Sequence, residues 1–298
     1  MRVFKNIKPK VLCIIACIVF SVCASALTYG RLLSAGLSFP QSCTEEFLTA
    51  DKGLVSTAGL SPESISLFDW NIYKGSRKGW DDDFLRLSDG KDIILLQEAS
   101  LDERLQELLQ RRNLYWDLNN AFFNKGQRTG VLSASTRQPM ASCGQRTSEP
   151  LIGVPKTVLI ARYAIEGSKE ELLVANIHGI NITLGTGSYQ QQFDQLGDIL
   201  KNHKGPLLVA GDFNNWSDGR STIVAELAER LSLQKINFGG ERRTTFFGDP
   251  VDQIYYRGLQ PLQSAVHLVK SSDHNPISAT FRLARIEAES TPLKSNAL

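Results

Sequence analysis

Residues 206–217 read Pro206-Leu207-Leu208-Val209-Ala210-Gly211-Asp212-Phe213-Asn214-Asn215-Trp216-Ser217. The apolar run is too short for a helix and suits a buried strand over Pro206–Ala210. A glycine ends it, and an acid and two amides follow at once. A buried strand closed by polar groups presents chemistry at its rim. The same design recurs along the chain. Asn71 closes a strand predicted over Ile65–Asn71, Glu98 follows Asp92–Gln97, and His178 follows Glu171–Ile177. Asp252 lies at the start of Val251–Tyr256, and Asp273-His274-Asn275-Pro276 precedes Ile277–Arg282. Thr129–Ser135 and Lys156–Arg162 are further predicted strands.

Helical spacing is confined to three stretches. Leu101–Arg112 places Leu101, Leu105, Leu108 and Leu109 on one side; Tyr189–Lys201 and Thr222–Leu231 are the others. Strands outnumber helices and are irregularly spaced, so a regular parallel βαβ sheet does not fit. An α/β (α+β) two-sheet sandwich with helices packed outside does.

The chain has 298 residues, a net charge of +2 and 42% hydrophobic residues. These values exclude a disordered, collagen-like or coiled-coil chain. Five cysteines in that length exclude a disulfide scaffold, and no C-x-x-C pair, phosphate loop or dinucleotide turn occurs.

Arg2, Lys5, Lys8 and Lys10 precede an uncharged apolar run, Val11–Leu27, containing Ala24-Ser25-Ala26. Residues 1–27 therefore read as a secretory signal or a retained N-terminal membrane anchor. The alternative is a core helix of a cytoplasmic protein. The expected location is exported or inner-membrane-anchored. Residues 1–26 carry four basic and no acidic groups, so the formal +2 becomes −2 for the remainder. That gives no global attraction for nucleic acid. Cys43 and Cys143 are the two cysteines outside the leader, either paired or separate thiols. Residues 28–61 read as a linker or lead-in, 62–285 as the domain, and 286–298 as a flexible tail.

If the strands align, the polar clusters converge at one rim. Glu98, Asp212 and Asp273 are hard oxygen donors suited to Mg²⁺, Mn²⁺ or Ca²⁺. Asn71 and Asn214 can hold a phosphate or a water. His178 and His274 titrate near neutral pH, and Asp252 can orient one of them. Together these are equipment for attacking a phosphate ester with water. Tyr73, Lys74 and Trp216 flank the site. Arg111-Arg112, Lys125, Arg128 and Arg242-Arg243 are candidate phosphate-backbone contacts or solvated surface.

Trp70-Asn71, Gln97-Glu98, Asn176-Ile177-His178, Gly211-Asp212-Phe213-Asn214 and Ser272-Asp273-His274-Asn275-Pro276 occur in the order found in the endonuclease/exonuclease/phosphatase superfamily. The chain resembles its bacterial YafD-like branch over about residues 62–285. The resemblance implies a four-layer sandwich of two mixed, mostly antiparallel sheets flanked by helices. It implies a metal site of Glu98 and Asp273, with Asn71 or Asp212 completing it, for Mg²⁺ or Mn²⁺. Asp212 would orient or deprotonate the water, and Asn214 would hold the water or the phosphate. His274, oriented by Asp252, would contact the phosphate. Asn71 and His178 are further phosphate contacts, or His178 is the acid to the leaving oxygen. His178 also separates the chain from AP endonucleases, which carry an amide there.

The implied activity is a metal-dependent phosphodiesterase, foremost a nuclease on DNA or RNA; the chain is expected to be a monomer. The alternatives are a phospholipase C-like or phosphatase activity on lipid or sugar phosphates, and a catalytically silent binding module. A lipid-cleaving member should show an exposed apolar hairpin, and no long aromatic insertion is visible. A silent module should have lost a core residue, and none is lost.

Overall fold

The structure is a computed structural model, and it describes residues 41–43, 47, 58–150 and 153–284. The leader, the tail and most of the lead-in read from the sequence lie outside these residues. Among the described residues no helix is long and apolar enough to cross a membrane.

Two sheets form the frame. One has six strands in the order β14 (Leu259–Val266), β15 (Ile277–Leu283), β2 (Ile65–Asn71), β3 (Ile93–Ser100), β5 (Gln127–Ser135) and β4 (Tyr115–Asn124). The other has seven: β1 (Gln41–Ser42), β6 (Ala141–Ser148), β7 (Pro155–Ala164), β8 (Glu171–His178), β9 (Leu207–Asp212), β13 (Asp252–Arg257) and β10 (Gln234–Lys235). A small hairpin pairs β11 (Thr245–Phe246) with β12 (Asp249–Pro250). The helices are α1 (Trp80–Leu87), α2 (Glu103–Arg111), α3 (Gly187–Leu200) and α4 (Asp218–Arg230).

Alternation along the strands sorts the apolar side chains into three cores. In β2, Ile65 and Leu67 face the seven-stranded sheet, while Phe68 and Trp70 face α1 and α2. In β8, Leu172 and Val174 join Ile65 and Leu67, while Leu173, Ala175 and Ile177 pack with Tyr189, Phe193 and Leu196 of α3. Three cores separated by two sheets are four layers, helix–sheet–sheet–helix. The expected sandwich of mixed sheets is the observed one.

Each sheet has a parallel pair at its centre, β2 with β3 and β8 with β9. Parallel partners end on the same side. The register places His178 opposite Asp212, Asp252 opposite Asp212, and Asn71 opposite Gln97. The polar strand ends therefore meet because of register.

The eight predicted strands are all present, within a few residues of the predicted bounds. Three long strands escape the pattern: β4, β6 and β14. All three are low in apolar alternation. β4 and β14 are sheet edges, and each is broken by a bulge. Pro261 sits in β14, where an edge tolerates its missing N–H. Helix α1 hides behind the run Asp81-Asp82-Asp83, which is its favourable acidic first turn. Cys43 and Cys143 are joined, S–S 2.04 Å, beside the parallel pairing of β1 with β6.

Candidate active site

Asp212 sits at the centre of the rim and is 2% exposed. Gly211 before it has φ 138°, and a Cβ there would lie 2.1 Å from the Ile177 carbonyl oxygen. Only glycine lets β8 and β9 approach so closely at this point. Asn214 follows in the left-handed region at φ 51°, a conformation asparagine tolerates. Its backbone N–H donates to Asp212 Oδ1 at 3.1 Å. Its amide donates to Asp212 Oδ2 at 3.3 Å and to the Gly179 carbonyl at 3.0 Å. From the other sheet, Asn71 Nδ2 donates to Asp212 Oδ2 at 3.1 Å. Asn71 is itself fixed, because its Oδ1 accepts the Tyr73 N–H at 3.1 Å.

Two histidines flank this carboxylate. His178 Nε2 lies 3.5 Å from Asp212 Oδ2, and His274 Nε2 lies 3.9 Å from it. They are held in opposite charge states. His274 Nδ1 faces both oxygens of Asp252, at 3.0 and 2.9 Å. Burial alone would lower the His274 pKa, but Asp252, Asp212 and Asp273 outweigh it and lift it to about 10. His178 is pushed well below the usual histidine value by burial, then by Lys156, whose Nζ is 2.8 Å from its Nε2. Burial raises Asp212 to about 6, against the pull of His274. At neutral pH the trio is a cationic His274, an anionic Asp212 and a neutral His178.

Glu98 reaches the rim through a bulge. The β3–β5 register shifts between Leu96 and Ala99, and Glu98 takes φ 50°. The bulge sends Gln97 inward to Asp69 and Asn176, each at 2.8 Å. Glu98 itself lines a cleft of about 170 Å³ with Lys74, Glu149, Lys156 and His178. Its carboxylate is ion-paired with the Lys74 ammonium. The N-cap of α2 is Asp102, so Glu98 is not spent on that helix.

Of the four predicted metal ligands, Asn71 and Asp212 touch. Glu98 faces the cleft shared with His178, and Asp273 stands exposed beside His274. Among the described residues, the acid and imidazole atoms that gather are instead those of Asp212, Asp252 and His274, within 4.8 Å of one another. There Asp252 already engages His274 Nδ1, which leaves Asp212 as the member of the group open to a water or an ion. Glu98 is the better place for a divalent ion: it is a hard oxygen donor at a cleft edge, and its present partner, the Lys74 ammonium, occupies the cation position that an ion would take over. The residues present fit such an ion.

Three supports were not read from the sequence. Lys156 is one, a lone cation opening a strand antiparallel to the one that His178 closes. Gln192 is another; its Oε1 accepts the Ile180 N–H at 2.8 Å and its Nε2 donates to the His178 carbonyl at 3.1 Å. The third is Arg220, buried between the rings of Tyr189 and Trp216 at 4.6 and 4.3 Å. It donates to the carbonyls of Ile180 and Asn214, at 2.7 and 2.9 Å, and of Asn181 at 2.8 Å. One guanidinium thus ties the loop after His178 to the loop after Asp212. Arg112, a candidate phosphate contact, is instead engaged by Ser88 and Asp89.

The model of the endonuclease/exonuclease/phosphatase family matches residues 70–274. The chain belongs to that family. A UPF0294 protein of Vibrio cholerae is 37% identical over 222 residues, covering 74% of this chain and 78% of its own. One from Yersinia pseudotuberculosis is 33% identical over 256 residues, covering 86% and 98%. Among solved structures, the human Nocturnin catalytic domain with bound sulfate is similar, with TM-score 0.60 and 18% identity over 76% of this chain and 96% of that one. Zebrafish TDP2 complexed with a single-strand DNA product has TM-score 0.54 and 16% identity over 74% and 99%. These two likenesses show the fold. Membership makes the protein a phosphoesterase of a family that generally uses a divalent metal.

Proposed function

We propose that this endonuclease/exonuclease/phosphatase family member is a Mg²⁺- or Mn²⁺-dependent phosphodiesterase that cleaves nucleic acid. The carrying observation is Asp212, a buried carboxylate lodged between a cationic and a neutral histidine with Glu98 across the cleft. With a pKa of about 6 it is ionised at neutral pH and is the base that takes a proton from water. The water oxygen then bonds to phosphorus, and the bond to the leaving oxygen breaks. Cationic His274 donates from Nε2 to a phosphate oxygen, where negative charge grows. The Lys156 ammonium, 2.8 Å from His178 Nε2, supplies the proton that neutralises the leaving oxygen. Asn71 and Asn214 hold Asp212 in place while it accepts. Glu98 and Asp273, with Asn71 or Asp212, would hold the divalent ion. When bound, the ion supplies charge neutralisation at the phosphate.

The zebrafish TDP2 complex with single-strand DNA product supports the nucleic-acid reading by fold analogy. A lipid phosphodiester is the second reading. The exposed turn at Phe246 and Phe247 offers the apolar area that a lipid surface would need. The test is hydrolysis of plasmid, single-stranded DNA, RNA and sphingomyelin by the full chain, with Mg²⁺, Mn²⁺ or EDTA. The Asp212→Asn and His274→Ala variants are run alongside. Metal-dependent cleavage of nucleic acid, lost in both variants, is expected. Cleavage of sphingomyelin alone would move the protein to the lipid reading.

Export or anchoring through residues 11–27 is part of this reading. The Cys43–Cys143 bond supports an oxidising compartment. Fractionation of cells expressing a tagged chain checks it. Recovery in the cytoplasmic fraction would exclude it.

A further inference from the structure

The hairpin of β11 and β12 turns at Phe247 and Gly248, with φ 53° and 98°. Two positive φ values in a two-residue turn are the pattern for which asparagine and glycine are preferred. A phenylalanine there breaks the local rule. It gains little packing in return, since Phe247 is 87% exposed and its ring meets Trp216 at 5.5 Å. Breaks of local rules without a packing gain cluster at functional sites.

The hairpin is also placed with respect to the chemistry. The ring of Phe246 lies 6.2 Å from that of His274. The Thr244 hydroxyl accepts the Asn275 N–H at 2.8 Å, which ties the hairpin base to the Asp273-His274-Asn275 segment. Trp216 is held by Arg220 and donates to Asn181 Oδ1 at 2.9 Å, so the ring behind Phe247 is fixed. Aromatic rings therefore flank the His274 side of the rim. Ammonium groups, Lys74 and Lys156, line the cleft on the His178 side.

We propose that Phe246 and Phe247, backed by Trp216, form a stacking ledge for an unpaired nucleobase, so that the substrate is a single strand. The inference rests on the nuclease reading and names its substrate class. A strand crossing the rim sets a phosphate against the ammonium groups and a neighbouring base against the rings. Ring stacking binds bases whatever their sequence, and it needs a base already out of a duplex. An aliphatic lipid chain needs only apolar area, so the two occupants respond differently to loss of the ring.

The test compares two single-stranded oligonucleotides of equal length and charge, one with bases and one baseless, with a duplex and sphingomyelin vesicles as further arms. The full-length chain and its Phe247→Ala and Phe247→Leu variants are used. Wild type should favour the base-bearing strand over the baseless one in kcat/KM, and over the duplex. Both variants should cut the first preference by about tenfold. Equal cleavage of the two strands by wild type, or a preference that survives both variants, overturns the ledge. Loss in Phe247→Ala with retention in Phe247→Leu, together with vesicle hydrolysis, overturns it in favour of lipid. If wild type cleaves no oligonucleotide, the nuclease reading has failed. Binding of the labelled strands in EDTA then decides the ledge separately: tighter binding of the base-bearing strand, lost in both variants, supports it, and equal binding overturns it.

Discussion

The two sides of the rim are built differently. On the β8–β9–β13 side, Asp212, Asn214, Asp252 and His178 are all nearly buried, and Asp212 accepts donors from both sheets. At the end of β3, Glu98 is held by one flexible ammonium at the edge of an open cleft, and Asp273, in the segment before β15, is exposed. The contrast separates two physical tasks. Proton transfer needs groups whose charge states are set in advance by burial and fixed neighbours. Holding a divalent ion needs oxygen donors that water and the ion can reach.

The sharpest test of that division is Asp212→Asn, which keeps the shape and removes the proposed base. It should lower kcat by roughly a thousandfold. An unchanged circular dichroism spectrum would show that the loss is chemical. Asp252→Asn leaves His274 without its anionic partner. We expect about a hundredfold loss of kcat, and the His274 titration, followed by NMR, should move down from about 10. Glu98→Gln belongs to the other side. It should raise the Mg²⁺ concentration needed for half-activity by roughly 10–100-fold, with kcat recovering at high metal. A kcat loss that metal cannot rescue would erase the distinction between the sides.

Arg220→Lys probes the support beneath the buried side. A lysine cannot donate to three carbonyls in a plane. About 2 kcal/mol of stability should be lost in urea melts, with a severalfold fall in kcat. The remaining test is the pH dependence of stability, measured in EDTA. His274 has a raised folded pKa, so its contribution is full below about 6.5 and is lost as pH rises towards about 10. His178 has a depressed one, so its contribution is present above about 6.5 and falls away on acidification. His274→Asn should flatten the alkaline slope, with urea midpoints as the readout.

The buried side was the more readable in sequence. Val209-Ala210-Gly211-Asp212 is a strand and its chemistry in consecutive residues, so apolar run and acid identify each other. The sandwich was readable for the same reason, because its central strands are the most apolar. Strands β4, β6 and β14 were not, since each is low in apolar alternation, and β4 and β14 are sheet edges. Residues that act through carbonyls were silent too. Nothing in the sequence around Arg220 distinguishes it from a surface arginine on a helix; the carbonyls it holds, apart from that of Asn214, are 39 and 40 positions upstream. The same holds for the aromatic turn, since Phe246-Phe247 next to Gly248 becomes a rim feature only through the pairing of β11 with β12.

Strand β15 runs beside β2, and the segment just before it brings Asp273 and His274 to residues encoded some two hundred positions earlier. During synthesis, then, a nascent chain carries Asn71, Glu98, His178 and Asp212 long before it can use them. The assembly becomes competent when residues 273–283 have left the ribosome and closed the sheet. If such a chain is threaded out of the cell as it is made, the compartment that holds the genome meets the parts of a hydrolase but never the finished tool.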